Sequence, residues 1–147
     1  MGADLYIKNE ATTAMMDDMR QVLLGTADFD AARSRAMSVL NSEDYFRDAY
    51  NGLNVLHTLG MSWADDVIPL LVDGCLSGQS LIDFQRKIES MVQILPTAEM
   101  LKKNHVQIDE YLMTVEAWHD FLLEKREKLR NFLSRAIRTE SEVICSL

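Results

Sequence analysis

The run Tyr45-Phe46-Arg47-Asp48-Ala49-Tyr50-Asn51-Gly52 holds the densest aromatic and polar chemistry in the chain. Tyrosine and arginine are common anchors of protein interfaces, because each joins a large contact area to a directional polar end. Arg47 is the only base between Arg35 and Arg86, and Glu43, Asp44, Asp48, Asp65, Asp66 and Asp73 surround it. A guanidinium in such company ties carboxylates and carbonyls within its own fold, which is the first reading. The second is recognition of a partner. Arg47 and Asp48 are adjacent and so reach different partners. On the recognition reading the binding residues are Tyr45, Arg47, Asp48, Tyr50, Asn51, Trp63, Asp65 and Asp66. An alternative gathers Tyr45, Arg47, Asp48, His57, Trp63 and Asp66 into the pocket of a small enzyme or small-molecule binder, since these types hold an anionic or polar ligand.

Other constellations carry less. Glu116-Ala117-Trp118-His119 has the Glu-x-x-His spacing of di-iron helix bundles, but those sites need a second such pair and two further glutamates. Asn54 and Lys102 stand three residues before His57 and His105, so the second pair is missing and no metal is expected. No Gly-x-Ser-x-Gly elbow, phosphate loop or dinucleotide fingerprint occurs, so no catalytic residue and no cofactor is assigned. Cys75 and Cys145 lack metal-ligand spacing and read as two reduced thiols. The basic cluster Lys125, Arg126, Lys128, Arg130, Arg135 and Arg138 could hold an anion. It also lies where a helix C-terminal half favours cations, so a solvated face is the plainer reading.

The elements that must position these groups read as helices. Met15, Met19, Val22 and Leu23 stripe a helix over about 10–24, which Gly25 is placed to end. Phe29, Ala32, Ala36 and Leu40 stripe a second, capped by Thr26 or Asp28. A short helix over 53–59 closes at Gly60. Ser62 caps another beginning at Trp63, and Pro69 should kink or stop it. Leu81, Phe84, Ile88, Met91 and Leu95 form the buried face of a helix ended by Pro96. The last helix is the longest, from about 106 to 138. Tyr111, Val115, Trp118, Leu122, Leu129, Phe132 and Ala136 form its seam, which could also carry a homodimer contact over 111–136. Asp4-Leu5-Tyr6-Ile7 alternates like a strand, but no partner strand is evident, so residues 1–9 are expected as an extended arm. The end from Thr139 is expected as a tail that tucks back.

Composition sets the outer limits. The chain has 147 residues, enough for one domain and short for two. Its net charge is −8. Residues 1–100 hold 7 Lys or Arg against 15 Asp or Glu, and residues 101–147 hold 8 of each. Such a balance argues against direct nucleic-acid binding, which needs a basic footprint, and permits a basic protein partner. No apolar run approaches a membrane span, and the N-terminus lacks the pattern of a signal peptide, so a cytoplasmic protein is expected.

Met1-Gly2-Ala3-Asp4-Leu5-Tyr6-Ile7, the Tyr45–Asn51 segment, Ser62-Trp63 with Asp66-Val67-Ile68-Pro69, and the ending Cys145-Ser146-Leu147 together resemble a group of uncharacterised bacterial proteins of similar length. The resemblance implies a bacterial or phage setting and transfers no activity.

The sequence therefore predicts a single all-α domain over 1–147, a bundle of five to seven helices with a long C-terminal helix. Its expected function is that of a non-catalytic acidic interaction module, such as an immunity protein or a phage inhibitor of a host defence nuclease.

Overall fold

A computed structural model describes residues 3–48, 55–91 and 115–147. Tyr50 and Asn51 lie outside the described residues, as do Pro96, His105, Tyr111 and the side chains of Val115 and Trp118.

The fold is α+β, which corrects the expected all-α bundle. Among the described residues four antiparallel strands form one sheet in the order β2-β1-β4-β3. They are β1 (Ala3–Ile7), β2 (Tyr45–Asp48), β3 (Cys75–Leu76) and β4 (Val143–Ser146). The expected N-terminal arm is thus an inner strand. It pairs with β2 through Leu5 opposite Phe46 and with β4 through Leu5 opposite Cys145. The expected C-terminal tail is the other inner strand, with β1 on one side and β3 on the other. The physical reason is backbone satisfaction: an extended segment with a buried face needs hydrogen-bond partners on both edges. Those partners come from far along the chain.

The helices stand close to where periodicity puts them. α1 (Glu10–Leu23) starts at an Asn9–Thr12 capping box. Asn9 Oδ1 accepts from the Thr12 N–H at 2.9 Å, and Thr12 Oγ1 donates to the Ile7 carbonyl at 2.8 Å, which fixes the helix to the end of β1. Gly25, at φ 72°, carries the left-handed turn after the helix, and the Thr26 N–H reaches back to the Gln21 carbonyl. α2 (Phe29–Leu40) is capped by Asp28. α1 and α2 bury Met15, Ala32 and Val39, and the exposed Arg35 guanidinium grips Asp18 between them.

α3 (Val55–Thr58) is a single turn. Ser62 opens a π-helical turn over Trp63–Val67, and Pro69 sits in the 3-10 turn Ile68–Leu70 that stops it. Asp73 and Gly74, both at positive φ, turn the chain so that Val72 and Cys75 exchange backbone bonds at 3.0 Å. An Asp-Gly pair is the residue signature of such a turn. α4 (Gly78–Met91) and α5 (Val115–Arg138) pack together on the sheet.

One core unites the sheet with these helices. Ala3, Leu5, Ile7, Phe46, Leu76 and Val143 face Trp63, Phe84, Ile88, Leu129, Phe132, Leu133 and Ala136. Leu122, Leu129, Phe132 and Ala136 of the expected seam are buried within the chain itself. Among the described residues no helix is long and apolar enough to cross a membrane.

Because β4 is paired on both sides, deleting residues 143–147 should abolish cooperative urea unfolding monitored by circular dichroism. A truncated chain that unfolds at the full-length midpoint would show β4 to be dispensable.

Candidate anion-binding groove

Strand alternation divides the Tyr45–Asp48 motif between two faces of the sheet. Phe46 and Asp48 point into the core, whereas Tyr45 is half-buried and Arg47 exposed. A carboxylate 2 % exposed needs donors, and Asp48 has them. Trp63 Nε1 donates to its Oδ2 at 2.8 Å, and the Val55 N–H donates to its Oδ1 at 2.8 Å. Trp63 itself is buried against Phe84, with ring centroids 6.0 Å apart. Asp48 and Trp63 are therefore structural partners that tie β2 to α3 and the π-helical turn.

The remaining predicted residues are placed apart. Tyr45 donates its hydroxyl to Asp4 at 2.5 Å and stacks on Tyr6. Burial and that bond raise the phenol's pKa. Arg47 lies 3.6 Å from the same Asp4. Asp66 is half-buried; it bonds Lys87, which holds its carboxyl below the usual range, and accepts from the Ser62 N–H at 2.8 Å. Asp65 and His57 are exposed on separate turns. Asp44 is likewise engaged, with Arg135 and Asn9 at 2.8 and 3.0 Å. The acidic run over 43–66 thus contains several carboxylates already committed to the fold. His119 Nδ1 lies 3.7 Å from Asp120, and among the described residues no group of three or more His, Cys, Asp and Glu stands close enough to hold a metal ion.

The concavity that Arg47 enters is basic. A groove of about 640 Å³ runs between α5 and the Leu40–Arg47 segment. Among the described residues its charged lining is Arg47, Lys125, Lys128, Arg135 and Arg138, with Glu43 the one carboxylate. On α5 these bases step by three and seven residues, which keeps them on one helix face. Periodicity could have separated them from the rest of the basic cluster. Arg126 faces the core, where its Nη2 donates to the Thr58 carbonyl at 3.1 Å. Arg130 forks onto Glu89, with both bonds at 2.9 Å, and links α5 to α4.

Each groove base is held differently. Lys125 donates to the Arg47 carbonyl at 2.9 Å, and its ammonium sits 5.6 Å from the Phe46 ring centre and 5.8 Å from that of Phe121. Burial lowers its pKa, and the nearby Asp48 carboxylate opposes that shift. Lys128 pairs with the exposed Glu124 at 2.7 Å. Arg135 bonds Asp44, which raises its pKa, and lies 3.6 Å from Glu43. Arg138 makes no ion pair among the described residues. Exposed pairs such as Lys128–Glu124 are worth little and exchange readily for a better partner. The arrangement suits a ligand that carries several negative charges along a line.

The thiols are poorly suited to nucleophilic work. Burial pushes Cys145 up to about 12, and the neighbouring Cys75 adds to the shift. Burial also raises Cys75.

Compared with known proteins, the chain matches no family model, no curated protein and no solved structure.

Two outcomes follow from this geometry. Asp48→Ala leaves two buried donors without their acceptor and should cost about 3 kcal/mol in urea unfolding, whereas Arg47→Ala should cost under about 1 kcal/mol. Equal costs would contradict the division of the motif. In the native chain Cys145 should alkylate with iodoacetamide about a hundredfold more slowly than free cysteine, as followed by mass spectrometry.

Proposed function

We propose that the protein is a non-catalytic, cytoplasmic protein-interaction module that meets its partner at the groove between α5 and β2. The observation that carries this reading is the alternation of β2. It commits Asp48 to Trp63 inside the core and delivers Arg47 to four bases of α5. An enzyme pocket at Tyr45, Arg47, Asp48, His57 and Trp63 needs those side chains to converge, and they lie on different faces.

The groove changes the kind of partner to expect. An immunity protein or a phage inhibitor that covers a nuclease cleft would present carboxylates to a basic surface. Here Asp44, Asp48 and Asp66 are engaged within the chain, while the concave surface presents Lys and Arg. The better-supported partner is a protein with an acidic contact surface. The chain's overall charge of −8 would then limit non-specific contact with nucleic acid outside the groove.

The test is a comparative capture from a bacterial lysate, with the full chain and two variants as bait and quantitative mass spectrometry as the readout. A partner held at low salt should fall about tenfold with Lys128→Glu combined with Arg138→Glu, and stay with Asp65→Lys. A partner retained equally by the groove variant, or lost only with Asp65→Lys, would overturn the groove assignment.

A further inference from the structure

We infer that a carboxylate of the partner binds the outward end of the Arg135 guanidinium in place of Glu43, which makes Glu43 an internal competitor that tunes the groove. The inference rests on the groove being the contact surface.

Two adjacent carboxylates meet Arg135 in different ways. Asp44 Oδ1 accepts from the Arg135 Nε at 2.8 Å, and Asp44 Oδ2 accepts from Asn9 Nδ2 at 3.0 Å. The backbone of Asp44 is held as well. Its N–H donates to Ser42 Oγ at 3.2 Å, and its carbonyl accepts from the Ile7 N–H at 2.9 Å. Asp44 therefore fixes the guanidinium from one side. Glu43 approaches the other end, with Oε2 3.6 Å from Nη1. That separation is too long for a hydrogen bond, and the Glu43 side chain is 87 % exposed. Nη1 and Nη2 make no hydrogen bond among the described residues. An exposed pair of this kind contributes little and yields readily to a better-fitting anion.

Arg135 is thus anchored at one side and open at the other. A guanidinium already held in place loses little freedom on binding, and its Nη1 and Nη2 together donate to a carboxylate in a two-point pair. Glu43 itself shows that a carboxylate suits this end of the groove, while its own approach falls short. The exposed Arg138 follows Arg135 by one helical step of three residues, a rise of about 4.5 Å, and Lys128 precedes it by two turns. Both extend the contact to further carboxylates of the partner. Glu43 is the one carboxylate in the groove lining among the described residues. Its charge repels an anionic partner at the place where it loosely neutralises Arg135. Removing it should strengthen binding, whereas removing a distant surface carboxylate should not.

The probe is a fluorescein-labelled hexaglutamate peptide, titrated with the full chain and followed by fluorescence anisotropy. The wild type should bind it saturably, and Lys128→Glu combined with Arg138→Glu should weaken binding about tenfold. Glu43→Gln should tighten binding about threefold, while Asp65→Asn, which removes the same charge from another exposed site, should leave it unchanged. In an Arg135→Lys background the gain from Glu43→Gln should vanish, because the two-point pair is lost while the charge facing Asp44 is kept. If Arg135→Lys fails to fold, the comparison of Glu43→Gln with Asp65→Asn decides alone. No gain with Glu43→Gln, an equal gain with Asp65→Asn, or a gain that persists with Arg135→Lys would overturn the inference and leave the groove as the contact surface. An inert peptide, tighter binding of hexauridylate RNA, or full competition by equimolar inorganic phosphate would overturn the carboxylate occupant, and groove-dependent capture from the lysate would then still support the interaction reading. Groove-independent capture, with peptide binding that survives the Lys128 and Arg138 changes, would remove both.

Discussion

The backbone of β1 needs hydrogen-bond partners on both edges, and the rest of the molecule is arranged to meet that demand. Ala3, Leu5 and Ile7 are buried, so water cannot serve the strand. β2 and β4 supply the partners, and they bring the middle and the end of the chain to its beginning. β4 follows α5 by a short link in which Glu140 adopts positive φ and the Ser141 N–H returns to the Ala136 carbonyl. The pairing of β4 therefore helps set where α5 lies, and the burial of Leu129, Leu133 and Ala136 sets its rotation. With both fixed, Lys125, Lys128, Arg135 and Arg138 stand beside β2.

The second lock is a carboxylate in the core. Asp48 shares the inward face of β2 with Phe46, and its bonds to Trp63 and Val55 compensate for leaving water. The same alternation turns Arg47 outward. A motif that is continuous along the chain thus does two jobs on two sides of one sheet. The anionic total of the chain also conceals a local reversal: acidic residues such as Asp44 and Asp66 are drawn into internal pairs, while bases collect along one helix face.

Much of the helical architecture was legible because helix signals are local. The Asn9–Thr12 box, Gly25, Asp28, Ser62 and Pro69 all act within a turn of themselves. The sheet was not legible. Its strands are short, and contacts such as Tyr45–Asp4 and Lys8–Glu142 join residues 41 and 134 positions apart. Asp73-Gly74 was one local signal of a tight turn, but β3 beside it is only 2 residues long. At the groove, residue type drew attention to Tyr45, Arg47 and the basic cluster separately. Their common location depends on a helix and a strand far apart in sequence. The same cluster also holds Arg126 and Arg130, which serve the core and α4.

By itself, the sequence determined the composition of the parts: which segments coil into helices, where several of them start and stop, and which side chains could bind charge. Those properties come from periodicity and short-range bonding, which each segment carries with it. Only the tertiary structure decided that the two terminal segments become inner strands, that Asp48 is structural, and that Arg47 joins the bases of α5. Strand pairing and carboxylate burial depend on partners that the local chain does not contain.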